Sequence, residues 1–103
     1  MVDFQKALRE TVRWIALDAV NHGRPYPVAE PLILGAIQGV PVQCTALELR
    51  RELDYLEDRG LVEITRRESA PWAVELTRAG VDVVDYTVEV EPGIARPKKY
   101  WNG

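Results

Sequence analysis

The sequence predicts a mainly α-helical fold with one small β-hairpin, in the order helix, helix, helix, hairpin, helix. Apolar residues recur at helical spacing in four segments that glycine and proline separate. Between the third and fourth segments, the spacing changes to the alternation of a half-buried strand. Of the 103 residues, 47% are hydrophobic and 28% are charged, so we expect one globular domain.

The first helix is predicted between Asp3, which can cap it, and Gly23, which stops it. Its apolar face is expected to contain Phe4, Leu8, Val12, Ile15, Ala16 and Ala19. Pro25 and Pro27 prevent its continuation, because proline lacks a backbone N–H donor.

The segment EPLILGAIQGV predicts a short second helix that has Pro31 in its first turn and ends at Gly39 and Pro41. Its buried side is expected to contain Leu32, Ile33, Ala36 and Ile37. The residues PVQC then turn the chain into the third helix.

The third helix, 45–59, has clear signals at both ends. Thr45 and Glu48 have the spacing of a capping box, and Gly60 stands where a left-handed residue closes a helix. The inward stripe is predicted to be Leu49, Leu53 and Leu56. The outward face is predicted to be Leu47, Arg50, Arg51, Asp54, Tyr55 and Asp58.

Alternation around Val62 and Ile64, and again from Trp72 to Leu76, predicts a hairpin with RRESAP at its turn. Thr77 can cap a last helix, whose core side is expected to be Val81, Val84 and Val88. The stretch TVEVEPG fits either the end of that helix or a short strand. We therefore predict a domain at 1–91 and a basic aromatic tail at 92–103.

The pattern L-x-x-L-x-x-x-G-L-V, a hairpin and then L-T-x-x-G resembles the winged helix-turn-helix superfamily. The matching residues are Leu53, Leu56, Gly60, Leu61, Val62, Leu76, Thr77 and Gly80. The segments DFQKALRE, LDYLEDRGLV and LTRAGVDVVDYTVEVEPGIARPKKYW are together similar to the small winged-helix proteins of Mu-like transposable phages. In those, a Pro-Gly and an Arg-Pro follow the last helix, as Pro92, Gly93, Arg96 and Pro97 do here. The resemblance implies a winged helix of phage or prophage origin, without a settled biochemical role.

If the third helix docks as in helix-turn-helix proteins, it enters the major groove of double-stranded DNA. The candidate contacts on this helix and the turn before it are Gln43, Thr45, Leu47, Arg50 and Arg51. The candidate contacts of the wing are Arg66 and Arg67. The tail offers Arg96, Lys98, Lys99, Tyr100 and Trp101. The leading hypothesis is a DNA-binding transcriptional regulator, working as a homodimer on two half-sites.

The alternative is a protein-interaction adaptor in phage packaging or assembly that does not bind DNA. The net charge is −3 and the pI about 5.1, whereas DNA-binding domains are usually basic. Asp54 and Asp58 lie on the same predicted face as the arginines, and Arg50 and Arg51 could pair with acids one turn away. Arginines held by carboxylates would favour the adaptor.

The sequence shows no catalytic motif and calls for no cofactor. One cysteine, Cys44, and one histidine, His22, cannot supply the usual zinc ligands. No apolar run reaches the roughly 20 residues of a membrane span, so we expect a cytoplasmic protein in the host cell.

The remaining candidate residues have structural interpretations. Trp14 and Trp72 are expected to lie in the core. Glu52 and Glu57 are expected to be solvated acids. For Tyr100 and Trp101, docking on the domain, docking on a partner and disorder all remain open.

Overall fold

A computed structural model describes residues 3–99 of the chain as four helices and a three-stranded antiparallel sheet. The elements are α1 (Phe4–His22), β1 (Val28–Ala29), α2 (Glu30–Gln38), α3 (Ala46–Asp58), β2 (Val62–Arg67), β3 (Ala70–Leu76) and α4 (Arg78–Val84). Asp3 and Thr77 cap α1 and α4 as predicted. The order of helices and hairpin is also the predicted one.

The sheet is larger than the predicted hairpin, because a short strand precedes α2. In the sheet order β1-β3-β2, Val28 pairs with Val74 and Ala29 with Ala73. Two residues are too few to show an alternating pattern, so sequence reasoning missed β1. The prediction of only two strands was wrong, and β3 is the central strand.

The core lies between the helices and one face of the sheet. The predicted inward stripe of α3 is confirmed, since Leu49, Leu53 and Leu56 are buried. On α2, Ile33 and Ile37 are buried, whereas Leu32 is 69% exposed and Ala36 is also exposed. The wider buried side predicted for α2 was therefore wrong. The buried side of α2 is formed by Ile33 and Ile37, with Leu34 partly buried beside them, whereas Leu32 and Ala36 face outward.

Helix α3 has the ends that the sequence predicted. The Thr45 hydroxyl accepts from the Glu48 backbone N–H at 3.1 Å, and the Glu48 carboxylate accepts from the Thr45 N–H at 2.9 Å. Gly60 has φ +75°, and the Leu61 N–H donates to the Leu56 carbonyl at 3.0 Å. These bonds form a capping box and a Schellman closure.

Replacing Thr45 by alanine should lower the free energy of unfolding by about 1 kcal/mol, because the Glu48 N–H loses its acceptor. Urea unfolding followed by circular dichroism measures this loss. The control is Thr65→Ala, at an exposed strand position where the threonine hydroxyl does not cap a helix. Equal stability of wild type and Thr45→Ala would contradict a stabilising cap.

The spacing of L-T-x-x-G has a packing explanation. The Thr77 hydroxyl accepts from the Gly80 N–H at 3.1 Å and donates to the Gly60 carbonyl at 2.6 Å. The Thr77 N–H donates to the Leu61 carbonyl at 3.0 Å. A Cβ on Gly80 would come closer than 3.0 Å to that same Leu61 oxygen. Thr77 and Gly80 therefore fix α4 against the end of α3.

The segment after α4 is neither helix nor strand, so neither interpretation of TVEVEPG was right. Tyr86 has φ 60°, and Val88 is 45% exposed instead of facing the core as predicted. Residues 92–99 lie along the domain: the Ala95 N–H donates to the Glu10 carbonyl at 3.1 Å. Arg96 donates to the carbonyls of Val83 and Val88 at 3.0 and 2.9 Å. The described part of the tail thus docks on its own chain.

Candidate functional site

The N-terminal half of α3 and the turn before it are open to solvent. Gln43, Thr45 and Arg51 are exposed, and Leu47 is 62% exposed. These four predicted DNA contacts do lie together at one end of the helix. The fifth, Arg50, differs from them because it is half-buried and points toward other elements.

Arg50 is held by Glu30, the first residue of α2. Its Nε donates to Glu30 Oε2 at 2.9 Å, and its Nη2 donates to Oε1. Glu30 is only 8% exposed and also accepts from the Trp72 backbone N–H at 2.9 Å. The bonds from Arg50, followed by the Trp72 N–H, hold the pKa of Glu30 below its usual value despite burial. The predicted outward position of Arg50 was wrong, and its partner is Glu30 of α2 and not an acid one turn away on α3. Its contact with DNA stays a prediction.

Arg66 is also held by carboxylates. Its Nη2 donates to Asp54 and, at 2.9 Å, to Glu57. Glu57 also accepts from the Ile64 backbone N–H at 3.2 Å. The hydrogen bonds from Arg66 are the main cause that lowers the pKa of Glu57. The sequence predicted a turn at RRESAP, but the turn in the structure consists of Glu68 and Ser69 alone. Arg66 lies within β2.

Both guanidinium groups contact one aromatic ring. Arg50 Cζ lies 4.4 Å and Arg66 Cζ 4.6 Å from the centroid of Trp72, which is half-buried. We call the residues Glu30, Arg50, Asp54, Glu57, Arg66 and Trp72 the Trp72 cluster. Because Glu30 and Glu57 each bind an arginine and a backbone N–H of the hairpin, the cluster fixes the hairpin against α2 and α3.

Two of the four candidate arginines of α3 and the hairpin have no carboxylate partner in the described part of the chain. Arg51 and Arg67 are exposed, and neither forms an ion pair with another residue in the described part of the chain. Exposed acids stand on the same helix, namely Glu48, Asp54 and Asp58. The surface that α3 and the hairpin share is therefore mixed in charge and not a basic patch.

The C-terminal half of α3 is occupied by α1 and the tail. The Tyr55 ring lies 3.6 Å from Arg13 Cζ and 4.9 Å from Arg59 Cζ. Arg13 also donates to Glu52 at 2.7 Å and to the Gly93 carbonyl at 2.9 Å. The predictions that Tyr55 faces outward and that Glu52 is solvated were therefore wrong. Glu57, which the sequence also assigned to solvent, belongs to the Trp72 cluster.

The outward line of α2 is apolar. Leu32 and Ala36 of α2 and Val40 in the turn after it follow one another at four-residue spacing, and all three are exposed. Together with Ile15 and Ala19 of α1, they line a groove of about 650 Å³. The outward line of α2 is therefore an exposed apolar surface of the domain.

The other candidate ligands do not assemble into a site. Residues 3–99 contain no group of three His, Cys, Asp or Glu side chains placed to hold a metal ion. Cys44 is buried, which raises the pKa of its thiol. Over the same residues, no helix has the length and apolar character needed to cross a membrane.

Three of the five candidate tail contacts lie within the residues that the structure describes, and two lie outside them. Arg96 is bound to the backbone of its own chain and lies 4.3 Å from the Tyr86 ring centroid. The Lys99 ammonium lies 4.7 Å from the same centroid, and Lys98 is exposed. Tyr100 and Trp101 lie outside the residues that the structure describes.

No protein-family model matches the chain, and no curated protein matches it.

Proposed function

We propose that this protein is a winged-helix adaptor of a phage or prophage, which binds another protein in packaging or assembly and has no catalytic activity. It would work in the cytoplasm of the host cell. The observation that carries the proposal is the pairing of Arg50 with Glu30 and of Arg66 with Asp54 and Glu57. Two of the cations expected to meet DNA are already neutralised within the fold.

Electrostatics make duplex binding by this surface costly. A phosphate that replaced Glu30 at Arg50 would leave a buried carboxylate without its partner, which is strongly unfavourable. The exposed carboxylate of Asp58 lies on the same helix and repels phosphate at a range of roughly 8–10 Å in physiological salt. The net charge of −3 adds no compensating attraction.

The apolar line of α2 supports a protein partner. Leu32, Ala36 and Val40 offer hydrophobic area in a groove whose polar lining residues are Asp18 and His22, and this area suits an apolar side-chain surface better than a polyanion. This face lies on α2, apart from the α3 residues considered for DNA. A protein bound there would leave the Trp72 cluster intact.

Double-stranded DNA remains a second candidate because Arg51 and Arg67 are exposed and unpaired within residues 3–99. In that mode Gln43, Thr45 and Leu47 would contact the groove or the phosphates beside Arg51. Arg50 and Arg66 would act only by holding α3 and the hairpin in place. A homodimer would supply the second half-site.

A salt-dependent DNA titration separates the two functions. For the adaptor, we expect no binding to random duplex or to phage and host promoter fragments, even near about 50 mM salt, where phosphate attraction is strong. Salt-dependent binding that disappears in Arg51→Ala/Arg67→Ala would contradict the adaptor and support DNA recognition. The matched control is Arg9→Ala/Arg24→Ala, which removes two exposed arginines from other elements. Each lost phosphate contact should reduce the salt slope by about one.

A further inference from the structure

The segment 25–47, which contains α2, exposes apolar side chains and no charge. Glu30 is its only acidic or basic residue, and that carboxylate is buried and paired with Arg50, although 28% of the whole chain is charged. The centre of a protein–protein interface is typically depleted of charge and enriched in tyrosine and other large apolar side chains. Most of the large apolar side chains that are exposed within residues 3–99 belong to this segment, namely Tyr26, Leu32, Val40 and Leu47.

The groove between α1 and α2 has both a hollow and side chains that project beside it. Small residues contribute to its lining, namely Ala19, Gly23 and Ala36. Leu32 stands at the same groove and is 69% exposed, and Tyr26, in the turn before β1, is 74% exposed. We call the groove together with Tyr26 the α2 face. Because its hollow and its projections are both apolar, the face is complementary in kind to an identical face.

The distribution of charge favours a second copy as the occupant of the α2 face. The charged residues that line the groove are Asp18 and His22, whose Oδ1 and Nδ1 atoms lie 3.8 Å apart, so they can pair with each other. Exposed acids that have no ion pair within residues 3–99 lie on other elements, for example Asp58 of α3 and Glu63 and Glu75 of the hairpin. Two copies of this chain, each with a net charge of −3, can therefore meet at the α2 face without placing like charges together. A highly charged partner would find no opposite charge there.

We propose that a second copy of this chain covers the α2 face and forms a two-fold symmetric homodimer with it. In a two-fold interface each contact occurs twice. Leu32 of each copy enters the groove of the other copy and lies against Ala19 and Ala36 there. This inference rests on the proposed function, because it names the protein that the apolar line of α2 binds.

The test is sedimentation equilibrium of the full chain over a range of concentrations. We expect wild type to have the mass of two chains, with a share of single chains that rises on dilution. Leu32→Glu and Ala36→Glu should each have the mass of one chain over the same range, because each variant places two unpaired carboxylates in an apolar interface. The matched control is Leu47→Glu, which should remain a dimer, because Leu47 is 62% exposed and belongs to the same uncharged segment but does not line the groove. All three positions are exposed, and circular dichroism checks that each variant is folded.

Three outcomes would overturn the proposal. In the first, wild type has the mass of one chain at every concentration. In the second, a dimer forms, but Leu32→Glu and Ala36→Glu weaken it no more than Leu47→Glu does, which would place the interface elsewhere. In the third, the mass grows beyond two chains, as an interface without two-fold symmetry allows. The proposed function fails separately, since DNA binding in the salt titration would contradict the adaptor whether or not the dimer forms.

Discussion

Replacing Gly80 by alanine should destabilise the protein by about 3 kcal/mol or more, the upper range for overpacking a close contact. The added Cβ would lie closer than 3.0 Å to the Leu61 oxygen and 3.2 Å from its carbonyl carbon. Backbone atoms cannot rotate away as a side chain does, so α4 would have to move. That movement breaks the bond from the Thr77 N–H to the same carbonyl. Urea unfolding measures the loss.

The matched control is Gly35→Ala in α2. A Cβ at Gly35 meets nothing within 4 Å, and alanine is the better helix former by roughly 0.5–1 kcal/mol. We therefore expect Gly35→Ala to retain or increase stability. If Gly80→Ala were as stable as Gly35→Ala, the close approach of α4 to Leu61 would not be a constraint on the fold.

Replacing Glu30 by glutamine should lower the free energy of unfolding by about 2 kcal/mol. A hydrogen bond to a charged group contributes about 1.5–3 kcal/mol, and a value in the lower half of that range allows for the 39% exposure of the Arg50 side chain, which stays solvated when Glu30 is neutralised. Glutamine can still accept a hydrogen bond from the Trp72 N–H. The loss of stability therefore measures mainly the interaction of the Glu30 charge with Arg50. Urea unfolding at neutral pH measures it. Glu68→Gln at the hairpin turn, where the acid is exposed, is the control and should have little effect.

The same variant has a distinct pH profile. Hydrogen bonds from Arg50 lower the pKa of Glu30 in the folded state, so the carboxylate stabilises the fold fully above its unfolded pKa of about 4.3. This contribution is lost as the pH falls from that value through the lower folded pKa. Wild type should therefore lose more stability on acidification than Glu30→Gln does. Parallel profiles would contradict a stabilising ion pair.

A double-mutant cycle then tests the coupling within the Trp72 cluster. Because Glu30 also binds the backbone of β3, Glu30→Gln and Arg50→Gln need not have equal effects. The direct pair should give a coupling energy that differs from zero, because the two residues are in contact. A coupling of zero would mean that Arg50 is held by the Trp72 ring and its helix alone.

The pairing of Arg50 and Arg66 bears on any function of this surface. In the cluster, two of the three carboxylates that bind an arginine also accept a backbone N–H from the hairpin: Glu30 from Trp72 and Glu57 from Ile64. The charged side chains of this surface thus hold the hairpin in position against α2 and α3. A ligand that competed for either arginine would also loosen the hairpin, which is a further reason to place the partner of the proposed adaptor elsewhere.

Much of the local structure was predictable because its signals lie within a few residues of each other. Thr45 and Glu48 are three residues apart and form the predicted capping box. Gly60 has the left-handed conformation that its place after α3 requires. The stripe of Leu49, Leu53 and Leu56 faces the core because helical spacing places these residues on one side.

The candidate site was less predictable because its contacts join distant parts of the chain. Glu30 meets Arg50 across 20 positions and the Trp72 N–H across 42. Arg13 meets Glu52 across 39 positions and Gly93 across 80. A helical pattern indicates which side chains of a helix point away from the hydrophobic core. It does not indicate which carboxylate of another element will receive them.

The sequence by itself therefore determined the four helices, the ends of α1 to α3 and the hairpin, since caps, turns and periodic apolar residues act over short separations. Only the tertiary structure decided that β1 joins β3, that Leu32 and Ala36 face outward and that residues 92–99 lie along α1 and α4. It also decided the charge of the α3 surface, because two arginines that look free in the sequence are bound by acids brought to them by folding.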